Sequence, residues 1–238
     1  MKWKKRQAQQ RNKDRRAAVL VFRNSSTAAR GLSRALDLEK KKMQKINIKM
    51  VIAFACALYF LVASIIIHFL RPELSFLSEP LSRFAVGEFL MVLTIGLIAI
   101  GICEILIGLN VGLARIGSLL LILAGISVII IGLMKMDIGE TVTIGGQIHV
   151  WAALSEFTCF PIAVFLIARK IESGTFKTYS LITSLLTISL LGLILLLFNN
   201  KSVHVFGLIQ KINILAITAW LLANSGSKLI VGNTVKEK

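Results

Sequence analysis

Six apolar runs, each 19–24 residues long, constrain this chain more than any other feature. They are Met50–Leu70, Val86–Leu109, Ile116–Met134, Ile148–Ala168, Ser180–Phe198 and Ile212–Val231. About 20 apolar residues in a helix cross the ~30 Å of hydrocarbon in a bilayer. Lipid offers no hydrogen bonds, so a spanning segment must satisfy its own backbone, as a helix or within a closed barrel. None of the runs alternates with period two, which excludes an outer-membrane barrel. The expected fold is all-α: a polytopic membrane protein built as a six-helix transmembrane bundle. Short connections favour antiparallel neighbours. Hydrophobic residues make up 55% of the chain and charged ones 17%, against about 25% charged in a soluble domain. That balance excludes a disordered chain, a coiled coil and an ordinary soluble enzyme.

The charge is concentrated at one end. Residues 1–49 hold 16 Lys and Arg against 3 acids, a net of +13, while residues 50–238 hold 12 against 9, a net of +3. Three regions follow: a basic arm over 1–49, a six-span membrane domain over 50–232, and a short tail over 233–238. High charge and few large apolar residues predict a disordered arm. Its segment 17–38 has the composition of a basic helix lying on anionic lipid head groups. Trp3 and Phe22 are its only aromatics, and no nucleic-acid-binding motif accompanies them, so no nucleic-acid partner is expected. Met43 opens a second plausible start, which would make residues 1–42 an artefact of the chosen initiation site.

Basic residues stay in the cytoplasm. The arm therefore places both termini inside and the protein in a bacterial inner membrane. The connections carrying Arg71 and Arg83, Lys135, and Lys201 and Lys211 then lie outside. The first span lies too deep in the chain, and lacks the small-residue site, for a cleavable signal peptide. Cys56, Cys103 and Cys159 sit inside apolar runs without CxxC spacing, so neither a disulfide framework nor a zinc site is expected.

Charge within a span costs at least ~2.5 kcal/mol at the bilayer centre, so each acid there calls for a reason. Glu88 falls near the outer end of the second span. Glu104 falls near its inner end, where it would snorkel or meet Arg115. Glu156 is the deepest, seven residues beyond His149 and on the same helical face. All three histidines map to the outer side: His68 closes the first span, His149 opens the fourth, and His204 follows the fifth. With Arg71, Arg83 and Asp137 they give the outer side a mixed polar character that the inner side lacks. Glycines of spans two and three are expected to pack helices closely. Asn224 is expected to hydrogen-bond between helices, and the fifth span to be the most lipid-exposed. No phosphate loop, nucleotide fingerprint, HExxH or nucleophile elbow appears; no cofactor and no metal is expected.

Three pieces of sequence carry a resemblance. The first runs from His68-Phe69-Leu70-Arg71-Pro72 to Glu79-Pro80-Leu81-Ser82-Arg83-Phe84-Ala85-Val86-Gly87. The second is Asp137 with Gly145-Gly146-Gln147-Ile148-His149. The third is Gly207-Leu208-Ile209-Gln210-Lys211, leading to Trp220. In this order they resemble the DUF998 family of prokaryotic integral membrane proteins, over roughly residues 50–232. The resemblance implies six helices with signature residues at the outer span ends, and no particular reaction. Ser82-Arg83-Phe84 stands where the family tends to have Ser-Glu-Tyr, and Met134-Lys135-Met136-Asp137 keeps only the Asp of Phe-Pro-x-Asp.

Three functions compete. The first is an outward-facing polar pocket for a small or lipid-like ligand, lined by His68, Arg71, Arg83, Asp137 and His149. The second is a small proton-coupled transporter with Glu88 and Glu156 as relay. The third is a membrane-embedded lipid-modifying enzyme using His149 and Asp137 as acid and base, although nothing in the sequence marks the chain as an enzyme.

Overall fold

The computed structural model of the chain describes residues 47–230 except 88, 112–113, 139–141 and 199–203. Residues 1–46 of the basic arm, Glu88, Glu140 and the C-terminal tail lie outside the described residues, while Ile48 and Lys49 belong to the first helix. Seven helices follow in order: α1 Ile48–Leu70, α2 Leu81–Phe84, α3 Leu90–Asn110, α4 Arg115–Leu133, α5 Ile144–Lys170, α6 Thr175–Phe198 and α7 Phe206–Ile230. All but α2 are long and apolar enough to cross a membrane. The chain is a multi-pass membrane protein, and no strand occurs among the described residues.

Local chemistry sets helix ends that hydropathy alone misplaces. The apolar run beginning at Val86 is helical only from Leu90, because Gly87 turns the chain at φ +99°. Thr143 caps α5 by accepting a hydrogen bond from the Gly146 N–H at 3.0 Å, so the helix starts at Ile144. His149 is therefore the sixth helical residue rather than a wet residue at the interface, and only 6% of its surface is exposed. Gly174, at φ +120°, closes the turn before α6 and lets that helix begin at Thr175.

The six long helices form a ring in chain order. Each packs against the next, and α7 returns to α1, with α2 wedged beside both. Close approach replaces hydrophobic driving force between helices in lipid. At the α3–α4 crossing, a Cβ on Gly101 would lie 2.5 Å from the Gly125 carbonyl oxygen, and a Cβ on Gly125 would meet Gly101 likewise. Trp220 fills the ring interior. It lies edge-on to Phe160 at 5.6 Å, stacks on Phe176 at 6.2 Å, and donates its indole N–H to Ser180 Oγ at 2.9 Å.

The fifth span is as exposed as the first, third and sixth, and it also carries a buried polar face. Ser180, Thr183, Ser184 and Thr187 form a buried stripe on α6, while Leu185 and Leu196 face outward. The i, i+3, i+4, i+7 spacing puts the four hydroxyls on one face. Ser180 and Thr187 bond carbonyls of their own helix, and Ser184 bonds the Pro161 carbonyl of α5 at 2.8 Å. Asn224 is buried on α7, but its Oδ1 has no partner among the described residues, so the expected interhelical bond from that oxygen is not made.

Candidate functional site

One end of the bundle carries His68 and His149 together with the connections 71–89 and 134–143. The three sequence pieces that carry the resemblance meet there. The 71–80 loop is sewn onto the first turns of α7. The Leu208 N–H donates to the Leu77 carbonyl at 2.8 Å, and the Leu81 N–H donates to Gln210 Oε1 at 2.9 Å. Lys211 Nζ donates to the carbonyls of Phe76 and Glu79, both at 2.7 Å. Gly207 is required at this seam, because a Cβ there would run into the Glu79 backbone. The second piece joins through Ser82, whose hydroxyl donates to Met136 Sδ at 3.1 Å.

Two cavities lie beneath this cap. The larger is an apolar groove of about 390 Å³ between α1 and α7, walled by Leu61, Ile65, Phe69, Ile214 and Leu215. His68 and Lys211 stand at its capped end. The ammonium of Lys211 sits 4.7 Å from the Phe76 ring centre and 4.9 Å from that of Phe84, close enough for cation–π attraction. His68 packs on the same two rings at 5.0 and 4.5 Å. Its Nδ1 bonds the Ser64 carbonyl at 2.6 Å, while its covered Nε2 has no partner among the described residues. Two of the three ammonium protons of Lys211 are used by the loop carbonyls.

The smaller cavity, about 60 Å³, lies inside the ring. Ser82, His149 and Gln210 line it together with Glu156 and apolar residues of α3 and α4. His149 Nδ1 bonds the Met134 carbonyl at 2.8 Å. With Nδ1–H donating, Nε2 of the neutral ring is the acceptor. Phe60, Leu81 and Ile214 line both cavities and form the wall between them.

The five residues expected to share one pocket are thus divided. His68 belongs to the groove and His149 to the interior cavity. Arg71, Arg83 and Asp137 line neither. Arg71 donates to Glu73 and to the Val86 carbonyl, bracing the loop; its guanidinium holds the Glu73 carboxyl below the ordinary carboxylate range. Arg83 of α2 pairs with Glu79 of the preceding loop at 3.9 Å. Asp137 accepts from the Thr143 hydroxyl at 2.6 Å and from the Thr143 N–H at 2.9 Å. These two bonds, the hydroxyl's foremost, hold its carboxyl below the ordinary carboxylate range, with the nearby His149 adding to the effect. Its carboxylate rests against Gly146, where a Cβ would collide with it. Asp137 therefore fixes the start of α5, and with it the inward aim of His149.

Other site residues are not evident from hydropathy. Lys211 reads as a loop charge, but α7 begins at Phe206, which puts Lys211 one turn from Ile214 and Leu215 on the groove face. Glu104 is wholly buried rather than snorkelling, and Arg115 is exposed at the head of α4. The Glu104 carboxyl lies close enough to that of Glu156 for the two to influence each other. Among the described residues no three His, Cys, Asp or Glu side chains gather as a metal centre would require.

No curated protein and no solved structure matches the chain. The model of the protein family of unknown function DUF998 matches residues 54–225, well over half the chain. The chain, with that family's signature pieces gathered over two cavities at one end of a six-helix membrane bundle, belongs to the DUF998 family.

Proposed function

We propose that the protein binds an amphiphile with one apolar chain and an acidic head group in the groove between α1 and α7. The observation that carries this reading is the pairing of an elongated apolar groove with a cation at one end. Lys211 is held in place by two carbonyls and two rings, with a proton to spare for an anionic oxygen. Fixed donors of this kind lower the ordering cost of binding. Arg71, Arg83 and Asp137 serve the site by holding the cap. The Lys and Arg distribution supports an outward-facing mouth in a bacterial inner membrane, with cytoplasmic termini and a basic arm on anionic lipid.

Titration of the purified protein with lysophosphatidylglycerol and lysophosphatidylcholine tests the proposal. The acidic lipid is expected to bind more tightly. Lys211→Ala is expected to weaken it about tenfold or more, since a hydrogen bond to a charged group contributes about 1.5–3 kcal/mol. Leu215→Trp, which leaves the cap's bonds alone, is expected to block both lipids by filling the groove. Equal affinity for the two lipids, or indifference to Leu215→Trp, would overturn the reading.

A further inference from the structure

Glu104 and Glu156 make a second site, independent of the groove. Glu156 is the thirteenth residue of the 27-residue α5, and Glu104 the fifteenth of the 21-residue α3. Both therefore lie well inside the membrane. They are 3% and 0% exposed, and each carboxyl lies within electrostatic reach of the other. The glycine crossing makes this encounter possible: a Cβ on Gly125 would stand 3.1 Å from the Glu104 Cβ, so the bare glycine gives Glu104 room beside α4. Both oxygens of Glu104 and Oε2 of Glu156 are buried without a hydrogen-bond partner among the described residues. Neither acid has a basic partner there.

Two adjacent carboxylates in a buried, low-dielectric interior do not both ionise without a counter-charge. None faces them. Arg115 is exposed at the start of α4, and Lys211 is held by the 71–80 loop. Lys228 lies near the far end of α7, and Tyr179 near the start of α6. Cys103 lies beside Glu104, with Cys56 of α1 beyond it, and both are free thiols. Cys159, a free thiol about one turn beyond Glu156 on α5, carries no positive charge. His149 lies two helical turns from Glu156, about 10.5 Å along the axis. His149 and Glu156 line the same cavity, whose roughly 60 Å³ has room for a few waters.

We infer that Glu104 and Glu156 share one exchangeable proton in the bilayer core, exchanged with the His-bearing face through the cavity that His149 lines. Uptake moves a proton from bulk hydronium along cavity waters to a carboxylate oxygen; only O–H bonds form and break. The site is a proton-binding device, with Glu104 in the place that Glu88 holds in the sequence-based relay.

Infrared spectroscopy of the full-length protein in lipid nanodiscs reads it directly. A protonated-carboxyl C=O band is expected at neutral pH, shifting in D2O. The band is expected to vanish in the Glu104→Gln/Glu156→Gln double variant. Each single variant is expected to move the pH at which the remaining band disappears. His149→Phe is expected to slow the D2O shift. A band that survives the double variant, or is missing from the native protein, would overturn the shared proton. So would single variants whose bands titrate as in the native protein. A band that ignores D2O, or shifts equally fast in His149→Phe, would overturn the access route. Melting curves of each variant identify any that fail to fold, and the native protein's band and D2O response decide the matter without them.

Discussion

Gly146 and Asp137 show how one residue's size is set by another's charge. The Asp137 carboxylate occupies the space where a side chain at 146 would be, and it faces the N-terminal end of α5, where a negative charge is favoured. Gly146→Ala is therefore expected to expel Asp137 and loosen the helix start, by roughly 1–3 kcal/mol as in other overpacked sites. Detergent-phase thermal unfolding measures it. Asp137 also predicts an acid sensitivity. A carboxyl lowered in the folded state stabilises above its unfolded value, near 3.9, and loses that contribution as pH falls through the folded one. The unfolding temperature is expected to drop as pH falls below about 4 in the native protein and to drop less in Asp137→Asn. The sequence offers Asp137 and the Gly-Gly pair as neighbours of His149. Their capping geometry is not legible there, because it depends on a loop folding back six residues.

At the scale of helices, the apolar runs predict how many there are better than what each one does. Length and hydropathy specify six crossings because lipid allows few alternatives. They do not specify which face of each helix turns inward, since both faces of a membrane helix are apolar. The hydroxyl stripe of α6 was legible as Ser180-x-x-Thr183-Ser184-x-x-Thr187, yet hydropathy averages it away. Trp220→Phe removes the N–H that Ser180 accepts, and is expected to cost about 1 kcal/mol. Trp220→Ala, which empties the ring interior, is expected to cost about 3–5 kcal/mol. Comparison of the two by reversible unfolding in micelles separates the hydrogen bond from the packing. Similar losses in both would contradict the interior placement of the ring.

The described helices form a closed circuit, with most contacts between neighbours in sequence and one closure between the first and last. An even number of crossings returns the chain to its starting side. Reporters fused before Asn47 and after Lys238 are therefore expected to give the same accessibility, and opposite signals would refute the six-crossing fold. The circuit was not legible from the apolar runs, because hydropathy carries no information about which helices touch. The bonds that close it span great lengths of chain: Lys211 reaches Phe76 across 135 residues, and Gln210 reaches Leu81 across 129. A ribosome delivers Phe76 long before Lys211 exists. Through that interval α3, α4, α5 and α6 are made while the carbonyls that Lys211 will claim wait unclaimed. Maturation of this end of the protein is thus timed by the last helix, and a nascent chain stopped short of Phe206 would hold the scaffold without a finished mouth.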